Sequence, residues 1–390
     1  MKNLFFSTLS HEVELLLLCS RFNIGKHEHD RINWLCSRDL NWDLLKKLII
    51  QNRVSPIVYN TLKIFKPIRH QSILTDLKKA AKSTGTRSFF FTIYLQQLLN
   101  EFRRCRIFAV PFKGPALSEF VYGDITYRVF SDLDILVSKR DAHSAFQMLK
   151  QIGLQPQLDL SSTQLSKYIK NEDNLAFYDF KKNLAIELHW EISGLYLSES
   201  VTLSELKDHI ETGQLNKTEI ACLSKEALLV YLCVHGAKHG WEHLEQLCCV
   251  AELIKANDRI DWNQVEYLSQ QWQCKKMLFL GLYLAMRLLN APLPENLCDA
   301  IEKDCSVPKL AGDVISCLFD EDNADISRFS VFHLKVRDKI TDKVRYGLRL
   351  LFRPTDKEWQ HFPLPAAVSF LHYIFRPFRL LIFKLRGLDA

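Results

Sequence analysis

Apolar positions recur at helical spacing through the first hundred residues or so. HEVELLLLCSRF from His11, WDLLKKLIIQNRVSPIVYNTLKI from Trp42 and the stretch Ser72–Arg104 each carry that period. Ser7 or Ser10 fits the cap of the first helix, and Asn41 or Asp39 that of the second, which Pro67 ends. At Arg106 the period changes. RIFAVPF (Arg106–Phe112) is short, β-branched and aromatic, as a buried strand is, and DLDILV (Asp132–Val137) alternates. A helix from Arg140 to Ile152 ends at Gly153. NLAFYDF and LAIELHWEI then read as two strands joined by a turn at Lys181-Lys182-Asn183. From Ser200 the helical period returns. It runs through LSKEALLVYLCVHGAKHGWEHLEQLCCVAELIKAN with Ser224 as cap, and Asp261-Trp262 opens a further helix much as Asn41-Trp42 does.

This pattern predicts an α+β fold: a small mixed-sheet core flanked by N-terminal and C-terminal helical regions. The expected divisions are a helical region at 1–104, the core at 105–197, a helical domain lining the cleft at 198–300, and a C-terminal helical region at 301–390.

Composition narrows the class. With 13 Gly and 12 Pro in 390 residues, collagen-like and low-complexity readings are excluded. The net charge of +6 permits an anionic ligand but is no nucleic-acid signature, so sequence-specific nucleic-acid binding is not expected. Eleven cysteines without a CxxC pair read as reduced thiols. Glu12 and Glu14 interrupt the apolar run near the N-terminus, so it reads as an amphipathic helix rather than a signal peptide. The expected location is cytoplasmic.

The chemistry gathers in one stretch. Asp132 and Asp134 lie two apart on a strand and point to one face. Side by side they repel unless a cation lies between them, and hard oxygen ligands suit Mg²⁺ or Mn²⁺ carrying a triphosphate. An Asp-x-Asp alone is weak, since exposed strands often alternate acids; its surroundings add weight. Lys113-Gly114 begins a strand-to-helix turn, where glycine lets amides approach phosphates and a helix N-terminus favours an anion. Arg128 enters the acidic strand, and Glu187 falls on the polar face of a later strand.

At these residues the chain resembles the uncharacterised bacterial nucleotidyltransferase family of the polymerase-β-like superfamily. The resemblance rests on Lys113-Gly114, Tyr122-Gly123, Arg128, Asp132-Leu133-Asp134 and Glu187-Leu188-His189-Trp190, and continues through HGAKHGWEHL (His235–Leu244). It implies transfer of a nucleotidyl group from an NTP, ATP foremost, to an acceptor hydroxyl or phosphate, with release of pyrophosphate. The acceptor is a small molecule, peptide or protein that the sequence does not identify. Asp132, Asp134 and Glu187 would hold two Mg²⁺ (or Mn²⁺) ions and do the catalysis. Lys113, the Gly114 amide and Arg128 would neutralise the triphosphate. Two positions depart from the family: Pro115 follows Gly114 where Gly or Ser is usual, and Cys249 stands where an Asp is common. Two competing readings are a nucleotide-binding regulatory module without turnover and a tailoring transferase using a nucleotide-sugar.

His235, His239 and His243 recur every fourth residue and are expected along one helical face. That face would line the cleft, with Lys238 or His239 contacting phosphates, as the resemblance implies; a packing face is the close alternative, and zinc the distant one. The tail FLHYIFRPFRLLIFKLRGL is basic and amphipathic. It reads as a helix pair broken at Pro377 and docked on the protein, with weak contact to a membrane surface as the alternative.

Overall fold

The computed structural model describes residues 9–65, 71–194, 196–197, 199–256, 259–319, 326–361, 364, 368 and 370–385. Helices α1 (His11–Cys19), α2 (Lys26–Cys36), α3 (Trp42–Gln51), α4 (Ser55–Phe65) and α5 (Gln71–Arg104) form the N-terminal layer. Ser10 and Asn41 cap α1 and α3 by accepting from the Val13 and Leu44 amides. Ser7 and Pro67 lie outside the described residues.

The core follows as β1 (Ala109–Pro111), α6 (Gly114–Tyr122), β2 (Asp132–Val137), α7 (Ala142–Gln151), β3 (Gln155–Pro156), α8 (Ser162–Asn171), β4 (Asn174–Asp179) and β5 (Leu184–His189). The five strands form one mixed sheet in the order β1-β2-β5-β4-β3, with β2 and β5 parallel and the other neighbours antiparallel. Alternation along β2 and β5 gives the sheet its two faces. Leu133, Ile135, Val137, Ile186 and Leu188 enter a core shared with α5, α7 and α8. Asp132, Asp134, Glu187 and His189 take the other face. Arg106–Phe112 was expected to be strand throughout, yet only Ala109–Pro111 pairs, because the ladder to β2 stops at Pro111 opposite Ile135.

The reading of uninterrupted helix from Ser200 is corrected by a hairpin, β6 (Ile210–Leu215) and β7 (Thr218–Leu223). It packs β7 against β1 and β6 against α6. Asn216 and Lys217 turn it with φ values of 46° and 66°, left-handed geometry usually advertised by Asn-Gly.

The helical domain comprises α9 (Lys225–Lys238), α10 (Leu244–Ala256), α11 (Trp262–Gln271) and α12 (Lys275–Leu289). Ser224 and Asp261 cap α9 and α11. The long histidine helix does not exist as one rod. Gly240 and Trp241 both have positive φ, 59° and 57°, and break it between α9 and α10. His235 is in α9, His239 caps its end, and His243 precedes α10, so the three histidines share no helical face.

The cause is packing. The fully buried Trp241 indole lies against Gly236 and Gly281, where an added Cβ would stand 2.3 Å and 3.0 Å from the ring. That gain in apolar burial outweighs the strain of a bulky left-handed residue.

The C-terminal region holds α13 (Glu295–Lys303), α14 (Ser306–Phe319), α15 (Ile326–Lys335), α16 (Ile340–Phe352), α17 (Asp356–His361) and α18 (Leu371–Leu385). The break expected at Pro377 is absent, and α18 runs through it. Arg376 and Arg379 pair with Glu358 of α17 at 3.2 and 2.6 Å. Among the described residues, no helix is long and apolar enough to cross a membrane.

Gly236→Ala should test the reason for the helix break. Alanine favours a helix, yet here its methyl meets the Trp241 ring. Urea titration should show a loss of about 1–3 kcal/mol, the usual cost of overpacking a core; a gain in stability would contradict this account.

Candidate nucleotidyl-transfer site

β2 and β5 pair so that Asp134 lies opposite Glu187 and Asp132 opposite Ala185. The sheet thus brings together acids more than fifty residues apart in the chain. Asp134 is 1 % exposed, and its Oδ1 meets Lys113 Nζ at 2.5 Å and His189 Nε2 at 3.1 Å. The same imidazole nitrogen lies 3.2 Å from Glu187 Oε2, which also accepts from Asn174 Nδ2 at 3.2 Å. One buried network therefore joins β1's exit, β2, β4 and β5.

Burial works against every charge in this network, and its partners decide the outcome. Asp134 is held well below the carboxylate range by Lys113 and His189. Lys113 is raised above the lysine range, chiefly by Asp134. His189 is raised by its contacts with Asp134 and Glu187, and Glu187 is lowered by His189. Asp132 differs. Burial, and then the Asp134 charge, raise it from 3.8 to about 6. Two acids on one strand face have been driven apart, one firmly ionised and one reluctant.

The loop before the site has its own geometry. Lys113 takes the N-cap position of α6 but sends its side chain to Asp134. Gly114 has φ +60°, and a Cβ there would stand 3.3 Å from the Asp132 carbonyl oxygen, so both conformation and space require glycine. Pro115 fits the first turn of the helix that follows, at the loss of one amide donor.

Arg128 was expected to face the triphosphate. The structure places it behind the Gly114 turn, buried, donating from Nε to Glu245 of α10 and from Nη1 to the Gly114 carbonyl at 3.3 Å. It holds the turn, and its charge also reaches Asp132. Cys249, one helical turn past Glu245, donates its thiol to Glu245 Oε1 at 3.1 Å. Glu245 thus puts a carboxylate on the helix face that Cys249 shares.

α9 covers the polar face of the sheet. The Phe112 ring stands edge-on to both His189 and Tyr231, at 5.1 and 5.2 Å. Tyr231 is buried close enough to Lys113, Asp134, Glu187 and Asp132 to interact with all four. One turn on, burial and then Lys113 push His235 well below the usual histidine range, so it is neutral. Lys238 and His239 lie at the end of this helix. Lys238 Nζ sits 5.4 Å above the Tyr196 ring, and His239 packs 4.6 Å from His235.

The donor set fits a divalent cation. Ligand atoms of Asp134, Glu187 and His189 lie within 4.8 Å of one another, and Asp134 Oδ2 is buried with no hydrogen-bond partner among the described residues. His189, rather than Asp132, completes this close group. The alternation of Ala185, Glu187 and His189 had already put the histidine on the polar face. Tyr231 and Glu245 carried no such mark, since each sits in a helix where an apolar or charged residue is ordinary.

Two stability measurements follow from this geometry. An ionised Asp132 is disfavoured by the fold, so between about pH 4 and 6 the native state keeps a proton that the unfolded chain has lost. Stability therefore falls as pH rises through that window. In metal-free buffer, Asp132→Asn should raise the free energy of unfolding at pH 7.5 by up to about 3 kcal/mol, read by urea titration, and change little below pH 4. Asp134→Asn should do the reverse at neutral pH, losing about 3–5 kcal/mol by leaving Lys113 buried without its partner. Separately, Glu245→Ala should destabilise by a similar amount, and Glu245→Ala with Cys249→Asp should recover much of it. Failure of that rescue would show that Arg128 is not held by charge from this helix face.

No curated protein and no solved structure matches the chain. One family, described as uncharacterised nucleotidyltransferase, matches residues 38–290, which take in α3 to α12, the whole sheet and every residue of the site above. The chain belongs to this nucleotidyltransferase family.

Proposed function

We propose that the protein moves a nucleotidyl group from an NTP, ATP foremost, to an acceptor hydroxyl or phosphate. The acceptor oxygen forms a bond to the α-phosphorus as the bond to the bridging oxygen of the leaving pyrophosphate breaks, and the acceptor's proton passes to a base. The observation that carries this reading is the pairing of Asp134 with Glu187 on adjacent parallel strands, with His189 and Lys113 converging on them. Family membership supports nucleotidyl transfer in general.

Asp134, Glu187 and His189 would hold a divalent cation, Mg²⁺ or Mn²⁺, with Asp132 completing the acidic rim. When bound, such ions supply the positive charge that a triphosphate needs as its leaving group departs. The chain's own residues do the rest. Gly114 brings the backbone of the turn close enough to serve phosphates, and Arg128 with Glu245 keeps that turn in place. Lys113, at the N-cap, is the cation nearest to where the triphosphate would lie. Glu187, ionised at neutral pH, accepts the acceptor's proton with His189 beside it. Tyr231 and Phe112 wall the site from water. Lys238 and His239, at the end of α9, would meet the distal phosphates or the acceptor.

Pro115 favours one competing reading, a nucleotide-binding module without turnover, because it withdraws an amide from the phosphate turn. Incubation with each labelled NTP, Mg²⁺ and cell extract separates the two. Transfer of label to a molecule in the extract supports the enzyme; tight nucleotide binding with no labelled product supports the module. Asp132→Asn should abolish transfer, and wild-type transfer should decline below about pH 6 as Asp132 takes up its proton. Glu187→Gln should leave nucleotide affinity nearly unchanged and slow single-turnover transfer by ~10²-fold or more. Equal loss of both would make Glu187 an organiser of the whole pocket instead.

A further inference from the structure

The C-terminal helices carry features that the transfer site does not use. Of the 23 large apolar side chains left exposed among the described residues, 12 lie between Val331 and Phe378. They are ordered, not scattered. On α16, Ile340, Val344 and Leu348 recur every fourth residue and stand 53–77 % exposed. Phe370, just before α18, with Ile374 and Phe378 on it, repeats that spacing at 48–62 %. Four-residue spacing puts each set on one helix face. α16 and α18 pack on each other, so the two apolar stripes belong to one helical layer. Monomeric proteins rarely leave such a concentration of apolar surface in water.

Charge selects what covers it. Residues 331–390 hold 12 Lys and Arg against 5 Asp and Glu, a net +7, whereas the whole chain is +6. The rest of the chain is therefore nearly neutral, and the net positive charge falls in the same stretch of sequence as the apolar stripes. Part of this charge is consumed internally: Arg376 and Arg379 pair with Glu358, and Arg353 with Glu172 and Asp173. Arg337 is buried over the Tyr346 ring and Arg349 is spent on the Leu197 carbonyl, and four further cations lie on or near the surface. Lys339 is exposed, Arg345 and Lys335 are about half exposed in pairs at 3.7 and 3.3 Å, and Lys343 sits one residue before Val344. Exposed pairs of that kind are weak and give way to a stronger field. A second copy of the chain would bring like charge against like; an anionic lipid surface would bring opposite charge and an apolar interior together. No described helix spans a bilayer, so the layer would lie in the interface.

We propose that α16 and α18 form a docking face for an anionic membrane surface, with aromatic and aliphatic side chains entering the headgroup boundary and the flanking lysines and arginines meeting acidic lipids. This assignment is independent of the transfer chemistry.

The test is co-sedimentation of the full chain with vesicles of phosphatidylcholine alone and of phosphatidylcholine with phosphatidylserine, each at low and high salt, beside light-scattering mass measurement without lipid. Binding to the phosphatidylserine vesicles should be at least about tenfold stronger than to neutral ones and should weaken with salt. Phe375→Glu with Phe378→Glu, both in solvent and remote from the nucleotide site, should reduce that binding about tenfold or more without changing the melting temperature or nucleotide affinity. Absence of vesicle binding overturns the proposal, as does binding indifferent to lipid charge. A lipid-free dimer that the same double variant disperses also overturns it, in favour of self-association.

Discussion

A carboxylate removed from water must be matched by positive charge, and the buried Asp134 imposes that condition on the middle of this protein. Its partners come from separate places: Lys113 from the exit of β1 and His189 from the end of β5. For both to arrive, β2 must pair in parallel with β5 in the observed register. A slip of one residue would turn Asp134 into the hydrocarbon of α5 and α7. The same slip would carry Leu133 and Ile135 to the polar face. Hydrophobic burial and charge matching thus specify the same register, which makes it robust. Asp132, two residues away, lacks a direct cation and keeps its proton more readily. The site is built around an inequality between two neighbouring acids.

A second charged clamp ties the sheet to the helical domain. Arg128 enters β2 from a loop in which Asp124 accepts from the amide and hydroxyl of Thr126, and its guanidinium bridges Glu245 of α10 and the Gly114 carbonyl. The turn at Gly114 is therefore tied to a helix more than a hundred residues later in the chain. A buried arginine and glutamate gain little over a hydrophobic pair in net stability, but each is costly without the other. Their consequence is geometric: the turn at Gly114 and the helices covering the site cannot drift independently.

The α/β core was legible because its signals are local. DLDILV opens on alternating acids, closes on an apolar run and forms a strand with those bounds, and Gly114 begins the strand-to-helix turn expected there, in left-handed geometry. The pairing of Glu187 with Asp134 could be framed from sequence only as a condition on strand pairing, which the sheet meets. What stayed hidden depends on distant contacts. The break between α9 and α10 follows from an indole seated against two glycines, one of them forty residues on, at Gly281. Periodicity across His235, His239 and His243 cannot register that. The β6–β7 hairpin turns on Asn216-Lys217, without the glycine that marks such turns, and its strands mix charged and polar residues on an exposed face. Arg128 was read from its place in the motif before the acidic strand; its tie to Glu245, more than a hundred residues later, had no local mark.

The C-terminal helices extend beyond the residues that define the family, yet they are joined to the core by specific polar contacts. His333 bonds the Lys238 carbonyl at 2.9 Å, at the end of the helix that covers the site, and Tyr346 holds the other side of that imidazole at 3.0 Å. Arg349 donates to the Leu197 carbonyl at 3.1 Å, and Arg353 meets Glu172 and Asp173, just before β4. The Glu172 and Asp173 carbonyls in turn accept from Trp190, immediately after His189 on β5. α16 thus reaches both ends of the acidic site, through α9 on one side and the β4–β5 edge on the other. Two points of attachment define an orientation where one would allow a swivel. The layer is therefore oriented with respect to Lys238 and to the strand ends that present Glu187 and His189.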